Sequence, residues 1–263
     1  MRRPSYEEPQ RGNPHQLTIN QHILPRLVIQ RFCGPDGLVY VKRVGREGFI
    51  NVQPENPLFC AKRVWDQRAE TTLSEEIEAS FQIVSNSILE NSLSTLDPEM
   101  HLMVTEMYLL WRYRALYARK PLGDVRANIV RMERNLSIDS QERLEKNGVL
   151  FLRPDGTLPG RISTGVALQM DIDRDLQAGA DKMHWGIVKA PPDFQFVVPN
   201  AFINQPIMPI SPSTCLVSGW PDSVLSMPEV GLFNREAVLS ADEYWFAKNP
   251  ERCPIRRLVF PFA

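Results

Sequence analysis

The helical pattern of this chain is concentrated in its middle, and this placement most constrains the fold. No Gly or Pro occurs between Glu99 and Lys120. The preceding Asp97 and Pro98 are typical of a helix start, because Asp can accept a bond from a free backbone amide and Pro suits the first helical position. The sequence therefore predicts a long helix that ends at about Lys120.

Two further helical segments flank this one. Thr72 and Glu75 have the spacing of a capping box, and the apolar residues that follow recur on one helix face. Those apolar residues are Ile77, Phe81, Val84 and Ile88. The spacing returns from Val125 to Leu136, and Asn147 with Gly148 is typical of a helix end. The helical middle is predicted to cover about 72–147.

The two ends of the chain are strand-like. GPDG at 34–37 predicts a hairpin turn between LVIQRF and LVYVKRV. After residue 148 the chain returns to short strands and proline-rich turns, with GVALQMDID at 165–173 alternating as in a strand. A late helix is predicted over 234–249 and a final strand over 256–263. This order predicts an α+β fold, with the helical middle packed on a mixed or antiparallel sheet built from N- and C-terminal strands.

Residues 1–16 are polar and proline-rich and lack the apolar centre of a signal peptide. They are predicted to be a disordered arm, followed by a single α+β domain over 17–263. The four cysteines are far apart and form no CxxC pair, which favours reduced thiols and a cytoplasmic location. They are Cys33, Cys60, Cys215 and Cys253.

Charge and motifs exclude several function classes. The formal net charge of −1 supports neither nucleic acid nor an anionic membrane as a partner. No Walker loop, GxGxxG, GxSxG or HExxH motif is present, and no cofactor or metal is predicted. DIDRD at 171–175 would place three carboxylates on one side of a strand, either as a solvated edge or as a Mg²⁺ or Ca²⁺ site. The partner classes left open are a protein and a phosphate-bearing ligand.

Cations gather near the end of the long helix, at Arg114, Arg119 and Lys120. They either complement the helix dipole and neighbouring acidic faces, or form a local anion site. Both interpretations stay open.

Several short segments occur in the order found in one protein family. HILP at 22–25 and IQRF at 29–32 resemble the start of the domain-of-unknown-function family 4238, whose members typically open with His-Tyr-Val-Pro and Leu-Arg-Arg-Phe. The resemblance continues to about residue 248. Its further segments are PENPLFCAKRVW, LSEEIEASF, YLLWRYRAL, FQFVVPNAF, MPISPSTCLV and LFNREAVLSADEYWFA. The family, of bacterial and phage type, implies no particular activity.

The resemblance singles out six polar residues. They are His22, Arg31, Glu78, Arg114 (with Arg112 as the alternative), Asn200 and Asn234. The chain departs from the family pattern in three places. Asn200 stands for an Asp, Val198–Pro199 for Thr-Ser, and Trp111 for a Gln. If that Asp is catalytic in relatives, this chain is impaired.

Three interpretations of the polar set follow. It can be a buried network that joins distant segments. It can be the pocket of a phosphate-ester or nucleic-acid-processing hydrolase, in which His22 is the general acid–base and Arg31 and Arg114 bind an anion. In that pocket Glu78 orients one of these groups, and the two asparagines supply hydrogen bonds.

The third interpretation is a module that binds a partner through its prolines and aromatic residues. Trp220, Tyr244 and Trp245 are the aromatic residues expected to be exposed. An interaction or binding role is favoured, with the hydrolase as the alternative, and whether the chain is an enzyme is left open.

Overall fold

The computed structural model describes residues 6–127, 136–202 and 205–255 of the 263-residue chain. These residues form an α+β fold. Its helices are α1 (Arg26–Gln30), α2 (Glu75–Leu89), α3 (Pro98–Arg119), α4 (Ile138–Lys146), α5 (Gly160–Gln177) and α6 (Met227–Ser240). Its strands are β1 (Asn20–His22), β2 (Val39–Arg43), β3 (Ile50–Val52), β4 (Cys60–Lys62), β5 (Val125–Arg126), β6 (Thr157–Leu158), β7 (Trp185–Lys189), β8 (Val198–Pro199), β9 (Ile207–Ser211), β10 (Thr214–Ser218), β11 (Ser223–Val224) and β12 (Tyr244–Ala247).

The chain divides into two compact units, each made of three segments. The first unit comprises Met1–Ile23, Cys60–Ser80 and Leu109–Ala180, and the second comprises Leu24–Phe59, Phe81–Tyr108 and Asp181–Ala263. The single domain over 17–263 stays a prediction.

A four-stranded sheet in the second unit joins strands from the two ends of the chain. Its order is β3–β2–β12–β8, and every pair in it is antiparallel. Val41 of β2 lies opposite Phe246 of β12, and both side chains are buried. Phe32 and Phe59 meet the ring of Phe246 edge to face, each at 5.5 Å between centroids. The predicted sheet from N- and C-terminal strands is confirmed.

The second unit contains another four-stranded sheet, in the order β11–β7–β10–β9. The strand β11 pairs with β7 in parallel and the other pairs are antiparallel, so this sheet is mixed. At Gly186 of β7 an added Cβ would lie 2.0 Å from the carbonyl oxygen of Trp220. Only glycine therefore allows this close approach of the loop to the strand.

The long helix α3 matches its prediction. Asp97 Oδ1 accepts a hydrogen bond from the amide of Met100 at 2.8 Å, and Pro98 is the first helical residue. The start of α2 differs from its prediction. A π-helical turn, Ala69–Ser74, runs directly into α2, and Thr72 lies inside it. The predicted cap at Thr72 is wrong, because a cap must precede the first helical turn.

The hairpin predicted around GPDG is wrong in its first arm. LVIQRF contributes to α1, which begins after Pro25, and the buried run Val28–Ile29 fits a helix as well as a strand. The turn itself is present. Gly37 has φ +74° and donates its amide to Gly34 O at 3.0 Å. The turn therefore joins α1 to β2 rather than two strands.

GVALQMDID is helical, so the predicted strand is wrong. It lies within α5, where Leu168 and Ile172 are buried four residues apart on one face. The alternation of polar and apolar residues was a weaker signal than this spacing. Helix α6 is also displaced from its prediction. It begins after Ser226, which forms a capping box with Glu229, and ends at Ser240.

Some predictions fall partly outside the described residues. Val125 lies in β5 rather than a helix, while 128–135 and the predicted final strand at 256–263 lie outside the described ranges. The predicted stop after α4 is confirmed, since Gly148 has φ +72° and donates to Glu145 O at 3.0 Å. Over the described ranges, every helix is too short or too polar to cross a membrane. The four cysteines, all within these ranges, are free thiols.

The first unit holds α4, α5 and the pair β1–β4, in which His22 lies opposite Cys60. Helix α5 packs against the π-helical turn through Gly165. A Cβ there would lie 1.9 Å from Asp66 Oδ1 and 3.1 Å from the Cβ of Ala69. The glycine therefore sets how closely this turn, with the segment that precedes it, can approach α5.

Candidate anion-binding site

The six residues predicted as a site divide between the two units. His22, Glu78 and Arg114 belong to the first unit, and the other three to the second. Those three are Arg31, Asn200 and Asn234.

Glu78 and Arg114 form an ion pair. Arg114 Nη1 donates to Glu78 Oε1 at 2.6 Å, and Glu70 Oε2 lies 3.7 Å from Arg114 Nη2. The guanidinium is almost fully buried and lies over the ring of Trp65, 5.4 Å from its centroid. The anions that Arg114 contacts are therefore the protein's own carboxylates.

Glu70 is a polar residue that the sequence interpretation missed. Its Oε2 accepts a bond from Trp65 Nε1 at 2.6 Å. Burial raises the pKa of Glu70, while the charges of Arg114 and His22 act in the opposite direction. His22 therefore lies near Glu70. A π-helical turn positions Glu70, and such turns occur often at functional sites.

Arg31 contacts neutral groups. Its Nη2 donates to Gln82 Oε1 at 2.6 Å and to Asn86 Oδ1 at 2.7 Å. Its Nη1 lies 3.5 Å from the carbonyl oxygen of Ile210. Burial lowers the pKa of Arg31. Two side-chain amides thus hold this cation in place.

The two predicted asparagines bond to the backbone of the second unit. Asn234 Oδ1 accepts from the amide of Val197 at 2.9 Å, and its Nδ2 donates to the carbonyls of Gln195 and Pro254. These bonds give Asn234 a structural role. Asn200 has the same kind of partners. Its Oδ1 accepts from the amides of Asp242 and Glu243 at 3.0 and 3.2 Å.

The first unit contains a cavity of about 470 Å³ lined by an unusual number of charged side chains. Its four cationic side chains, three arginines and one lysine, are called the arginine cluster below. They are Lys62, Arg63, Arg153 and Arg161. Glu7 and Asp124 also line the cavity. Four cations in one cavity favour an anionic ligand, because arginines bind carboxylate and phosphate oxygens through paired N–H groups.

Arg63 follows β4 and has an unusual backbone. Its φ is +44°, in the left-handed region that residues other than glycine rarely adopt. Its amide donates to Ile19 O at 2.8 Å, which holds this conformation. Burial lowers the pKa of Arg63, against the opposing charge of Glu145. Backbone conformations of this kind cluster at functional sites.

Glu145 of α4 is the buried counter-ion of the cluster. Its Oε2 accepts from Arg63 Nη2 at 2.7 Å and from Arg161 Nε at 2.8 Å. The three side chains are between 2% and 5% exposed. One buried carboxylate therefore serves two buried guanidinium groups, and Arg63 Nη1 and Arg161 Nη1 are directed to other acceptors.

Asp124 holds Arg153 in place. Its Oδ2 accepts from Arg153 Nη1 at 2.5 Å, and its Oδ1 accepts from the amide of Gly160 at 2.7 Å. Burial opposes the charge of Asp124, but these bonds outweigh it and lower its pKa. A Cβ at Gly160 would lie 2.3 Å from Leu122 O, so glycine is needed for α5 to begin so close to this loop.

Glu7, from the segment predicted as an arm, lies in the cluster. Its Oε2 accepts from Arg153 Nη2 at 2.7 Å and from Arg161 Nη1. Its main-chain oxygen accepts from Arg63 Nη1 at 2.9 Å. Four cations then face three carboxylates, those of Glu7, Asp124 and Glu145. Without Glu7 they would face two.

Other arm residues also bind this unit. Tyr6 lies under Lys62 Nζ, 5.3 Å from the ring centroid. The amide of Gln10 donates to Glu142 Oε1 at 2.7 Å, and its Nε2 donates to Glu142 Oε2 at 3.1 Å. The described part of the arm contains no helix or strand.

The DIDRD carboxylates have other partners than a metal. On α5, Asp171 and Asp175 share a face and accept hydroxyl bonds from Tyr117 and Tyr113, each at 2.5 Å. Asp173 is exposed. The predicted comb of three carboxylates is wrong, because it required a strand. In the described part of the chain, no group of three His, Cys, Asp or Glu residues is arranged to hold a metal ion.

The expected aromatic surface is mostly buried. Tyr244 and Trp245 lie in β12 and are 3% and 8% exposed, whereas Trp220 is 40% exposed. Trp220 also packs edge to face on Phe233, with 5.4 Å between ring centroids. Two of the three aromatic residues expected to bind a partner are therefore core residues.

Comparison of this chain with protein-family models, with curated proteins and with solved structures finds no match. The resemblance to the domain-of-unknown-function family 4238 stays a prediction.

Proposed function

We propose that this protein is a binding module whose arginine cluster takes an anionic group from another molecule. The position of Glu7 carries the proposal. A carboxylate that is 46% exposed is held by two guanidinium groups that are 5% and 21% exposed. A carboxylate or phosphate from a ligand would meet the same donors. A binding role agrees with the favoured interpretation of the sequence, although Arg31 and Arg114 were the cations named there.

Electrostatics support an external anion. Glu145 and Asp124 leave N–H groups of Arg153 and Arg161 directed at Glu7. Charge-assisted bonds to a guanidinium are stronger than bonds between neutral groups, and partial burial reduces their screening by salt. The cavity is large enough for several ligand atoms around the anionic group.

The proposal is tested with small anions. The thermal unfolding midpoint of the wild type is measured with inorganic phosphate and with N-acetylglutamate amide, and the same titrations are run on Arg153→Gln. Both anions should raise the wild-type midpoint, by about 2–4 °C for each kcal/mol of ligand stabilisation. In R153Q the rise should be small or absent.

Arg143→Gln is the matched control. Arg143 is exposed on α4 and does not line the cavity, so R143Q removes one positive charge elsewhere in the same unit. The control should keep the wild-type response. Equal responses of R153Q and R143Q would disprove a specific anion site.

A second candidate is hydrolysis of a phosphate ester, and Glu70 favours it. This buried carboxyl has a raised pKa and lies beside Arg114. A carboxyl whose pKa is raised by burial is a candidate general acid. Here Glu70 would take the role that the sequence interpretation gave to His22, and Glu78 would orient Arg114.

Release of p-nitrophenol from bis(p-nitrophenyl) phosphate tests this candidate. Glu70→Gln should abolish turnover, and Glu76→Gln, an exposed glutamate of α2, should leave it unchanged. A wild-type rate equal to that of buffer would exclude hydrolysis of this diester.

A further inference from the structure

We infer that the ligand of the arginine cluster is an acidic peptide, and that the chain's own segment 6–10 occupies its place. This deepens the proposed function and rests on it. Segment 6–10 would then be a built-in competitor, and Glu7 its anchoring residue. A partner protein binds by displacing this segment with an acidic segment of its own.

Contacts to main-chain atoms favour a peptide over an isolated anion. Arg63 Nη1 donates to the carbonyl oxygen of Glu7 at 2.9 Å. Glu142 Oε1 accepts from the amide of Gln10 at 2.7 Å. These two buried side chains therefore bond to the backbone of the segment, while Arg153 and Arg161 bond to its carboxylate. A bare phosphate would satisfy only the second pair.

The residue before the carboxylate adds selectivity. Tyr6 lies against Lys62, with Nζ 5.3 Å from the centroid of the ring. A cation over an aromatic face stabilises the contact modestly. The preferred peptide thus carries an aromatic residue directly before an acidic one.

The segment is suited to exchange. It has no helix or strand, and its Glu7 side chain is 46% exposed. Of the groups that hold it, Arg63 and Arg161 are buried and fixed by Glu145, and Arg153 is fixed by Asp124. A tethered segment competes at an effective concentration in the millimolar range, which weakens the apparent affinity for a free peptide.

The test measures fluorescence anisotropy of a labelled peptide, PSYEEPQR, which repeats residues 4–11. It is titrated with the wild-type protein, with Glu7→Gln and with Glu8→Gln. E7Q weakens the tethered competitor and should bind the peptide about tenfold more tightly than the wild type. Glu8 is an exposed neighbour that does not line the cavity, so E8Q has the same charge change and should bind as the wild type does.

A second peptide and a second variant complete the test. PSYQEPQR lacks the anchoring carboxylate and should bind every variant weakly. Tyr6→Ala removes the ring that contacts Lys62 but leaves all four residues of the cluster unchanged, and it should also raise affinity for PSYEEPQR. Circular dichroism confirms that each variant is folded.

Equal affinity of E7Q and E8Q for the peptide would show that segment 6–10 does not compete with it for the arginine cluster. If phosphate and N-acetylglutamate amide still bind in that case, the peptide inference alone fails. If neither the wild type nor any variant binds either small anion, the proposed function fails as well.

Discussion

Arg63 Nη2 lies 2.7 Å from Glu145 Oε2, and each of these side chains is only 2% exposed. Two charges buried this deeply are stable only as partners, because each would otherwise lack the solvation it has in water. The same carboxylate oxygen also accepts from Arg161. Glu145 is therefore the residue on which the burial of Arg63 and Arg161 depends.

Glu145→Gln should lower the free energy of unfolding by about 3 kcal/mol or more, because Arg63 loses the carboxylate it bonds and Arg161 loses one of its two. Urea unfolding followed by tryptophan fluorescence measures the change. Glu76→Gln, at an exposed position of α2, should change stability by less than about 0.5 kcal/mol. A small loss for E145Q would mean that the cluster is solvated.

Asn234→Ala should lower the stability of the protein by about 3 kcal/mol, because the change leaves a buried amide and two carbonyl groups without their partner. The urea midpoint is the measurement. Asn51, exposed on β3, provides the control Asn51→Ala, which should change stability little. If N234A and N51A lose equal stability, Asn234 has no structural role.

Asp66 should make the stability of the protein depend on pH. Burial raises the pKa of this carboxyl from 3.8 to about 6, against the nearby charge of Arg68. The folded protein thus binds the proton more tightly than the unfolded chain does. This contribution is fully present below about pH 4 and is lost as the pH rises through about 6, a difference of about 3 kcal/mol.

Asp66→Asn, which imitates the protonated form, should remove this part of the pH dependence. Urea midpoints at pH 4.5 and 7.5 are compared for both proteins. The urea midpoint of the wild type should be close to that of the variant at pH 4.5 and lower than that of the variant at pH 7.5. The same pH dependence in both proteins would show that Asp66 titrates normally.

Gly186→Ala should destabilise β7 and its sheet. The added Cβ would meet the backbone carbonyl of Trp220 at 2.0 Å, and a backbone atom cannot move aside as a flexible side chain can. We expect a loss of about 2 kcal/mol or more in urea unfolding. Gly123→Ala is the control, since nothing lies within 4 Å of the Cβ added there.

The sequence predicted those parts of the fold that depend on local signals. Asp97 and Pro98 begin α3 as expected, and the Gly37 and Gly148 positions need the φ values that glycine supplies. The errors arose where two periodicities compete. Polar and apolar residues alternate over 165–173 as they would in a strand. The buried residues, Leu168 and Ile172, are instead four apart, as on one face of a helix.

The candidate site was less predictable. The resemblance led to Glu78 and Arg114, which do form an ion pair. It did not lead to the arginine cluster, because Arg63 and Arg153 lie in separate loops, Arg161 lies on α5, and the three share no spacing. The available hints were local, such as the Pro-Asp-Gly turn beside Arg153. The buried carboxylate of Glu145 brings Arg63 and Arg161 together, and Glu7 links Arg161 to Arg153. No sequence pattern predicts these contacts.

The pairing of β2 with β12 has a consequence for synthesis of the chain. At about 5–20 residues per second, a ribosome needs roughly 10–40 s to make the ~200 residues between these strands. During that interval the edge of β2 that β12 will cover offers unpaired amides and carbonyls to other chains. The first unit has all its segments once residue 180 has emerged. The second unit must wait for Tyr244–Ala247, so β2 stays without this partner long after the segments of the first unit are complete.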